Sequence, residues 1–366
     1  MVQIIAEEIA ARGVIPFKRF MELALYCPEY GYYEKERDSV GRGGDFHTSV
    51  SVGALFGELL AARFADWLDT IRTGGVSAST TEGENNGRLF LVEAGAHRGD
   101  LALDILNWFK RERPDLLSEL TYVILEPSPA RQKFQARRLG EFASCVTWCS
   151  GLDPGSVRGV IFSNELLDAM PLSRARWDAG RREWREMGVA FDGETFQWEL
   201  MPGAVAMPIP LPEPLLAVLP DGFTTEWSTA ATEWWNRSAR ALKCGWLVTF
   251  DYGLEWEDLF DPCRSNGTIR TYHRHRLGDT PLAHPGECDL TAHVNFSEIR
   301  RVGEEAALVT DYYGRQGAFL AGIAGLAGKG AGETPVWTDQ QLRQLRTLLH
   351  PVGFGDSFRV LAQRRA

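Results

Sequence analysis

The residues in this sequence that first suggest chemistry are carboxylates standing where apolar runs end. The run Leu91-Val92-Glu93-Ala94-Gly95-Ala96-His97-Arg98-Gly99-Asp100 reads as a strand, a tight glycine-containing turn and the start of a helix. In an open α/β sheet, that first turn brings backbone amides up to a nucleotide-like ligand. Gly95 lets the backbone come close, and Glu93 at the strand end can accept from a ligand ammonium group. A lone glycine turn is also an ordinary strand-helix connection, so the second carboxylate carries weight. Glu126 ends the next apolar run, 122–126. From there a carboxylate accepts both hydroxyls of a ribose.

NAD fits the same geometry, but no GxGxxG fingerprint is present, and Glu126 follows Gly95 by 31 residues rather than about 20. S-adenosylmethionine suits the spacing better. A third group closes the run 160–163, where Asn164-Glu165-Leu166-Leu167-Asp168-Ala169-Met170-Pro171 sets three polar side chains at the carboxyl edge beside the switch point. Substrate meets cofactor at that edge. Amino methyltransferases of the Asn-Pro-Pro-Tyr kind carry prolines and an aromatic here. Glu165 and Asp168 instead favour a cationic acceptor, although such carboxylates also cap helices.

These groups need a scaffold, and the spacing of apolar residues supplies one. Helical spacing over 3–12 and 16–26, then a longer helix over 52–72, makes residues 1–72 a helical N-terminal extension. Residues 73–87 (TGGVSASTTEGENNG) read as a flexible linker. Short apolar runs alternating with helices follow, the pattern of a mainly parallel doubly wound sheet. Strands are expected at 89–93, 122–126, 145–148, 160–163, 246–250, 307–312 and 357–361, so 88–170 is the cofactor half and 230–366 the second half, with an insertion at about 253–295. Residues 171–229, rich in Trp and Pro with a hairpin over 176–198, read as an inserted substrate-side subdomain. Seven strands with a late helix match the class I methyltransferase (Rossmann-like) sheet better than a six-strand dinucleotide fold.

Composition narrows the partners. The formal charge of −10 opposes a phosphate backbone, so no nucleic-acid partner is expected. The N-terminus lacks a basic start and an apolar run, and no stretch of about 18 apolar residues occurs, so a cytoplasmic protein without membrane insertion is expected. The six cysteines form no CxxC pair and read as free thiols of a reducing compartment. His273, His275, Asp289 and His293 resemble a metal constellation, but HxH fixes no third ligand. They read as structural or channel-wall residues, and no metal is expected.

Several segments occur in the order found in one family: Gly44-Asp45-Phe46-His47-Thr48-Ser49, Glu93 to Gly99, Glu126-Pro127-Ser128-Pro129, Asn164 to Pro171, Asp251-Tyr252-Gly253, Gly267-Thr268-Ile269-Arg270 and Pro285 to Phe296. On these the chain resembles the MidA-like SAM-dependent methyltransferases, whose mitochondrial member assists respiratory complex I assembly by methylating arginine. The resemblance implies S-adenosyl-L-methionine as cofactor, a protein substrate containing arginine, and a respiratory complex subunit as the kind of partner. It implies cofactor contacts at Asp45, Glu93, Gly95, His97, Gly99, Glu126 and Asn164. An arginine guanidinium stays protonated in proteins, so a site must grip it with paired carboxylates. Glu165 with Glu186 form the expected pair, with Asp168 in reserve.

Two departures stand out. The family turn reads Gly-Pro-Gly-Arg-Gly, where this chain has Ala96-His97 for Pro-Gly, and Val50-Ser51 replace a common Pro-Glu. Either change can weaken cofactor binding, which keeps open a SAM-binding assembly factor that has lost catalysis; an NAD-dependent oxidoreductase is the remaining alternative.

Overall fold

The computed structural model describes residues 1–34, 48–74, 88–208, 211–273, 276–277, 280–327 and 337–366. The expected 73–87 linker lies almost wholly outside the described residues, as do Asp45, His275 and the side chain of His273. The chain divides into two compact units, one of His47–Leu166, Trp234–Tyr252 and Arg300–Ala366, the other of Met1–Phe46, Leu167–Glu233 and Gly253–Ile299. Among the described residues, no helix is long and apolar enough to cross a membrane.

The first unit is built on a large sheet of β1 (Leu89–Ala94), β2 (Leu120–Leu125), β3 (Val146–Cys149), β4 (Val157–Asn164), β5 (Leu242–Leu254), β6 (Val309–Arg315) and β7 (Phe358–Arg365). Their order across the sheet is β6-β7-β5-β4-β1-β2-β3. Strands β1 to β5 pair in parallel, and β7 runs antiparallel to both β5 and β6. Chain order reverses between β1 and β4, which creates a switch point at their carboxyl ends. The six-strand dinucleotide order lacks the reversed strand that β7 inserts here. Strands β1 and β4 are buried along nearly their whole length, as expected of parallel strands covered on both faces.

Helices cover this sheet with aromatic side chains. The helix Leu55–Arg72, which the sequence groups with the N-terminal extension, packs here: Phe64 meets Phe162 of β4 at 4.9 Å, and Trp67 stacks on Trp246 of β5 at 5.0 Å. Phe56 adds an edge contact to Phe250. Eleven of its residues are buried, and their apolar side chains belong to the core cluster of the large sheet.

The second unit joins the N-terminal helices Val2–Arg12 and Phe17–Tyr26 to a five-stranded antiparallel sheet. Ser173–Asp178 and Glu183–Phe191 form the hairpin, extended by Phe196–Leu200, Thr224–Trp227 and the short Ile15–Pro16. Phe17 lies against Trp198 at 4.8 Å, and Ile5, Phe20 and Leu25 share one apolar cluster with Leu172 and Val189. A second cluster gathers Trp177, Trp184, Phe223 and Phe260.

Candidate active site

Within the large-sheet unit, the carboxyl ends of β1, β2 and β4 gather most of the polar residues singled out from sequence. Glu93 on β1 is 3% exposed and accepts the Tyr122 hydroxyl of β2 at 2.6 Å. Burial pushes the Glu93 carboxyl up to about 7, and the Tyr122 hydrogen bond only partly opposes this. The chain then turns through Gly95 (φ 72), His97 (φ 45) and Gly99 (φ 81) into the helix Asp100–Glu112. Gly95 is exposed, and a Cβ there would lie 2.8 Å from the Leu166 Cδ1. A side chain there would crowd Leu166 and strain a positive φ, so glycine suits the position and leaves a bare backbone for a ligand to approach. His97 occupies the left-handed region without being glycine, at a cost of about 1 kcal/mol.

Glu126 follows β2 and is 5% exposed. Its Oε1 accepts the Ser128 backbone N–H at 3.0 Å, and its Oε2 accepts the Gln135 Nε2 at 3.2 Å. The carboxylate plane is thus fixed before any ligand arrives.

At the end of β4 the Glu165 backbone is left-handed (φ 50), while its N–H still donates to the Phe250 carbonyl at 2.8 Å. The Asn164 amide donates to Glu165 Oε1 at 3.2 Å. Fully buried Asp251 clamps this elbow, accepting the Leu166 N–H at 3.2 Å and its neighbour Tyr252 N–H at 2.9 Å. A strained residue held this firmly marks a place where the fold opposes local preference, a frequent property of reacting sites.

Seven of the expected residues thus lie on neighbouring strand ends: Glu93, Gly95, His97, Gly99, Glu126, Asn164 and Glu165. Asp168 and Glu186 belong to the other unit, where they are not brought together. Asp168 is 5% exposed and lines a pocket with Glu226, Trp227, His293, Asn295 and Glu298. Glu186 is absent from that lining; its register opposite Ala175 sets it on the sheet face of Trp177 and Trp184. Glu226, opposite Arg174, points from the other face. Burial, with Arg270 and Arg264 nearby, holds the His293 imidazole down to about 4, so it is neutral at physiological pH. Asp289 accepts the Tyr33 hydroxyl at 2.8 and 3.0 Å.

Sequence reading missed three residues here. Tyr122 sits mid-strand and reads as core. Asp251 stood in a quoted motif without a role. Gln135 is the one buried residue of the helix Pro129–Arg138, which has no apolar stripe to advertise an inward face.

A doubly wound sheet with an exposed glycine turn after β1 and a fixed acid after β2 defines a nucleotide-cofactor enzyme of the Rossmann-like class. More specifically, the chain belongs to the S-adenosyl-L-methionine-dependent methyltransferase family whose model matches residues 76–314. A COG1565 superfamily member from Burkholderia thailandensis, solved bound to S-adenosyl-homocysteine, superposes with a TM-score of 0.80 at 29% identity, covering 99% of this chain and 90% of that one. The Drosophila melanogaster protein named protein arginine methyltransferase NDUFAF7 homolog, mitochondrial, is 28% identical over 81% of this chain and 68% of its own length. The human protein arginine methyltransferase NDUFAF7, mitochondrial, is 26% identical over 81% of this chain and 67% of its own. The family expectation holds, together with the class I methyltransferase fold and its cofactor.

The site suits that cofactor. A buried acid whose proton is retained to about 7 gains from an approaching ammonium group, and Gly95 leaves the approach open. In the folded chain Glu93 keeps a proton between about 4.5 and 7 that the unfolded chain has lost, so its contribution to stability falls as pH rises through that window. Ligand binding that needs the carboxylate must expel this proton. Affinity for S-adenosylhomocysteine is accordingly expected to rise from pH 6 to 8, with calorimetric heats that vary with buffer ionisation enthalpy. Glu93→Gln should remove both effects, and a flat wild-type profile would count against an ionised Glu93 in the complex.

His97→Gly is expected to tighten binding, because it restores the family's glycine at a backbone position already left-handed. Folding stability should change by no more than about 1 kcal/mol, since relieved strain offsets added chain entropy. Weaker binding by titration calorimetry would show the imidazole to be a contact.

Proposed function

We propose that this methyltransferase modifies arginine side chains of a partner protein and that Glu165 grips the acceptor. The observation that carries the reading is Glu165 itself: a half-buried carboxylate fixed in a left-handed elbow at the end of β4, with its successor Leu166 against the Gly95 turn. Two relatives named as protein arginine methyltransferases support the acceptor class. Glu93, the turn from Gly95 to Gly99, Glu126 and Asn164 would hold the cofactor, with Asp45, on sequence grounds, a further proposed contact. When bound, the cofactor supplies a methyl group on a sulfonium centre.

The protein's task is to make a protonated guanidinium nucleophilic. Its five N–H groups suit bidentate carboxylate recognition, and Glu165 accepting two of them would hold the group and localise electron density on the attacking nitrogen. Asp168 and Glu186, both in the other unit, are further candidate catalytic carboxylates, proposed on sequence grounds. The new N–C bond forms as the S–C bond breaks, and the proton lost by the methylated nitrogen passes to a carboxylate and then to solvent. Proximity and orientation supply most of the acceleration. A respiratory complex subunit is the substrate kind that the family resemblance suggests.

The second reading, a cofactor-binding assembly factor without catalysis, draws on His97 in the glycine turn. Incubation with methyl-labelled S-adenosylmethionine and a lysate from cells lacking this protein separates the two. Label on protein arginine is expected. Label on lysine or nucleic acid would reject the acceptor, and no label would favour the second reading.

A further inference from the structure

We propose that Gln135, oriented by Trp148, is a positioning residue of the cofactor site, holding the Glu126 carboxylate and the His97 turn in one arrangement. The helix Pro129–Arg138 buries a single residue, and that residue is polar. Gln135 is 0% exposed. An apolar side chain would anchor the helix at less desolvation cost, so a buried amide is tolerated only where its hydrogen bonds are complete.

They are complete, and in one orientation. The Trp148 indole Nε1 can only donate, and it donates to Gln135 Oε1 at 2.9 Å. The Gln135 NH2 must then face the other way. Its two hydrogens reach Glu126 Oε2 at 3.2 Å and the His97 carbonyl at 3.0 Å. Trp148 therefore removes the usual ambiguity of an amide flip. One side chain ties together the turn after β1, the acid after β2 and a residue of β3, three adjacent strands. The bond to His97 also braces a carbonyl beside a left-handed φ of 45.

The consequence concerns ribose recognition and rests on the reading that Glu126 accepts the sugar hydroxyls. Two donors, Ser128 N–H and Gln135 Nε2, set the plane of that carboxylate, and its geometry decides how well two adjacent hydroxyls are met at once. Without Gln135 the carboxylate would rotate, and selectivity for a ribose over a deoxyribose should fall with it.

Titration calorimetry with S-adenosylhomocysteine and with its 2′-deoxyribose analogue tests this. The wild type should prefer the ribose form by about tenfold or more, the worth of a hydrogen bond to a charged group. Gln135→Leu should bind S-adenosylhomocysteine about tenfold more weakly and shrink that preference below about threefold. Trp148→Phe, which keeps an aromatic side chain but removes the indole N–H, should move both values in the same direction and carries the test if Gln135→Leu does not fold. A helix anchor without a role in recognition would alter stability while leaving the preference intact. Folded variants that retain the wild-type preference would therefore overturn the inference. A wild type that binds both ligands equally would instead refute the Glu126 reading beneath it.

Discussion

Glu165→Gln should abolish methyl transfer to arginine, lowering kcat/KM by about a thousandfold or more while S-adenosylhomocysteine affinity stays within about twofold. The substitution keeps the size of the side chain and removes its charge, so it strikes the grip on the reacting guanidinium and leaves the cofactor contacts in place. A thousandfold loss corresponds to about 4 kcal/mol of transition-state stabilisation, in the range seen when one charged or hydrogen-bonding group is removed from a reacting centre. The left-handed backbone at φ 50 supplies an internal control. Glu165→Gly would relax the elbow and delete the carboxylate, so it too should be inactive, with unchanged or slightly raised stability. An active glycine variant would mean that the backbone turn, and not the carboxylate, is what the reaction uses.

The second large effect is expected at Glu126. Replacement by alanine should weaken S-adenosylhomocysteine binding by about 1 to 3 kcal/mol, roughly 5- to 150-fold, because hydrogen bonds to a charged group are lost. The same change leaves the Ser128 N–H and the Gln135 amide without their acceptor, so some loss of folding stability should accompany it. Calorimetry on protein shown to be folded separates the two consequences, and unchanged affinity would remove Glu126 from the cofactor site.

The legible part of the site is the part that local pattern determines. Strands β1 and β4 announce themselves as continuous apolar runs because both faces are buried, and the polar residue ending each run falls at the carboxyl edge by geometry alone. Glu93, Glu126 and Glu165 could therefore be named from the sequence. What stayed hidden depends on pairing between distant segments. Strand β7 is inserted antiparallel between β5 and β6, and nothing local to 358–365 says so. The hairpin expected over 176–198 is real but incomplete, since Ile15–Pro16 and Thr224–Trp227 join its sheet from far along the chain. The helix Leu55–Arg72 has an apolar face that fits any core, so its assignment to an extension could not be corrected without the contacts of Phe64 and Trp67.

Gln135 and Glu165 illustrate a further limit. A buried glutamine on a polar helix carries no periodic signal, and a left-handed glutamate looks like any other glutamate in a sequence. Both are imposed by tertiary hydrogen bonds, from Trp148 in one case and through Asp251 in the other.

A crystal structure of this chain with S-adenosylhomocysteine tests the placement of the cofactor most directly. The ribose hydroxyls should lie within hydrogen-bond distance of the Glu126 carboxylate, with the amino-acid end of the ligand against the turn from Gly95 to His97 and its ammonium facing Glu93. A ligand bound elsewhere, or one whose sugar makes no contact with Glu126, would contradict it.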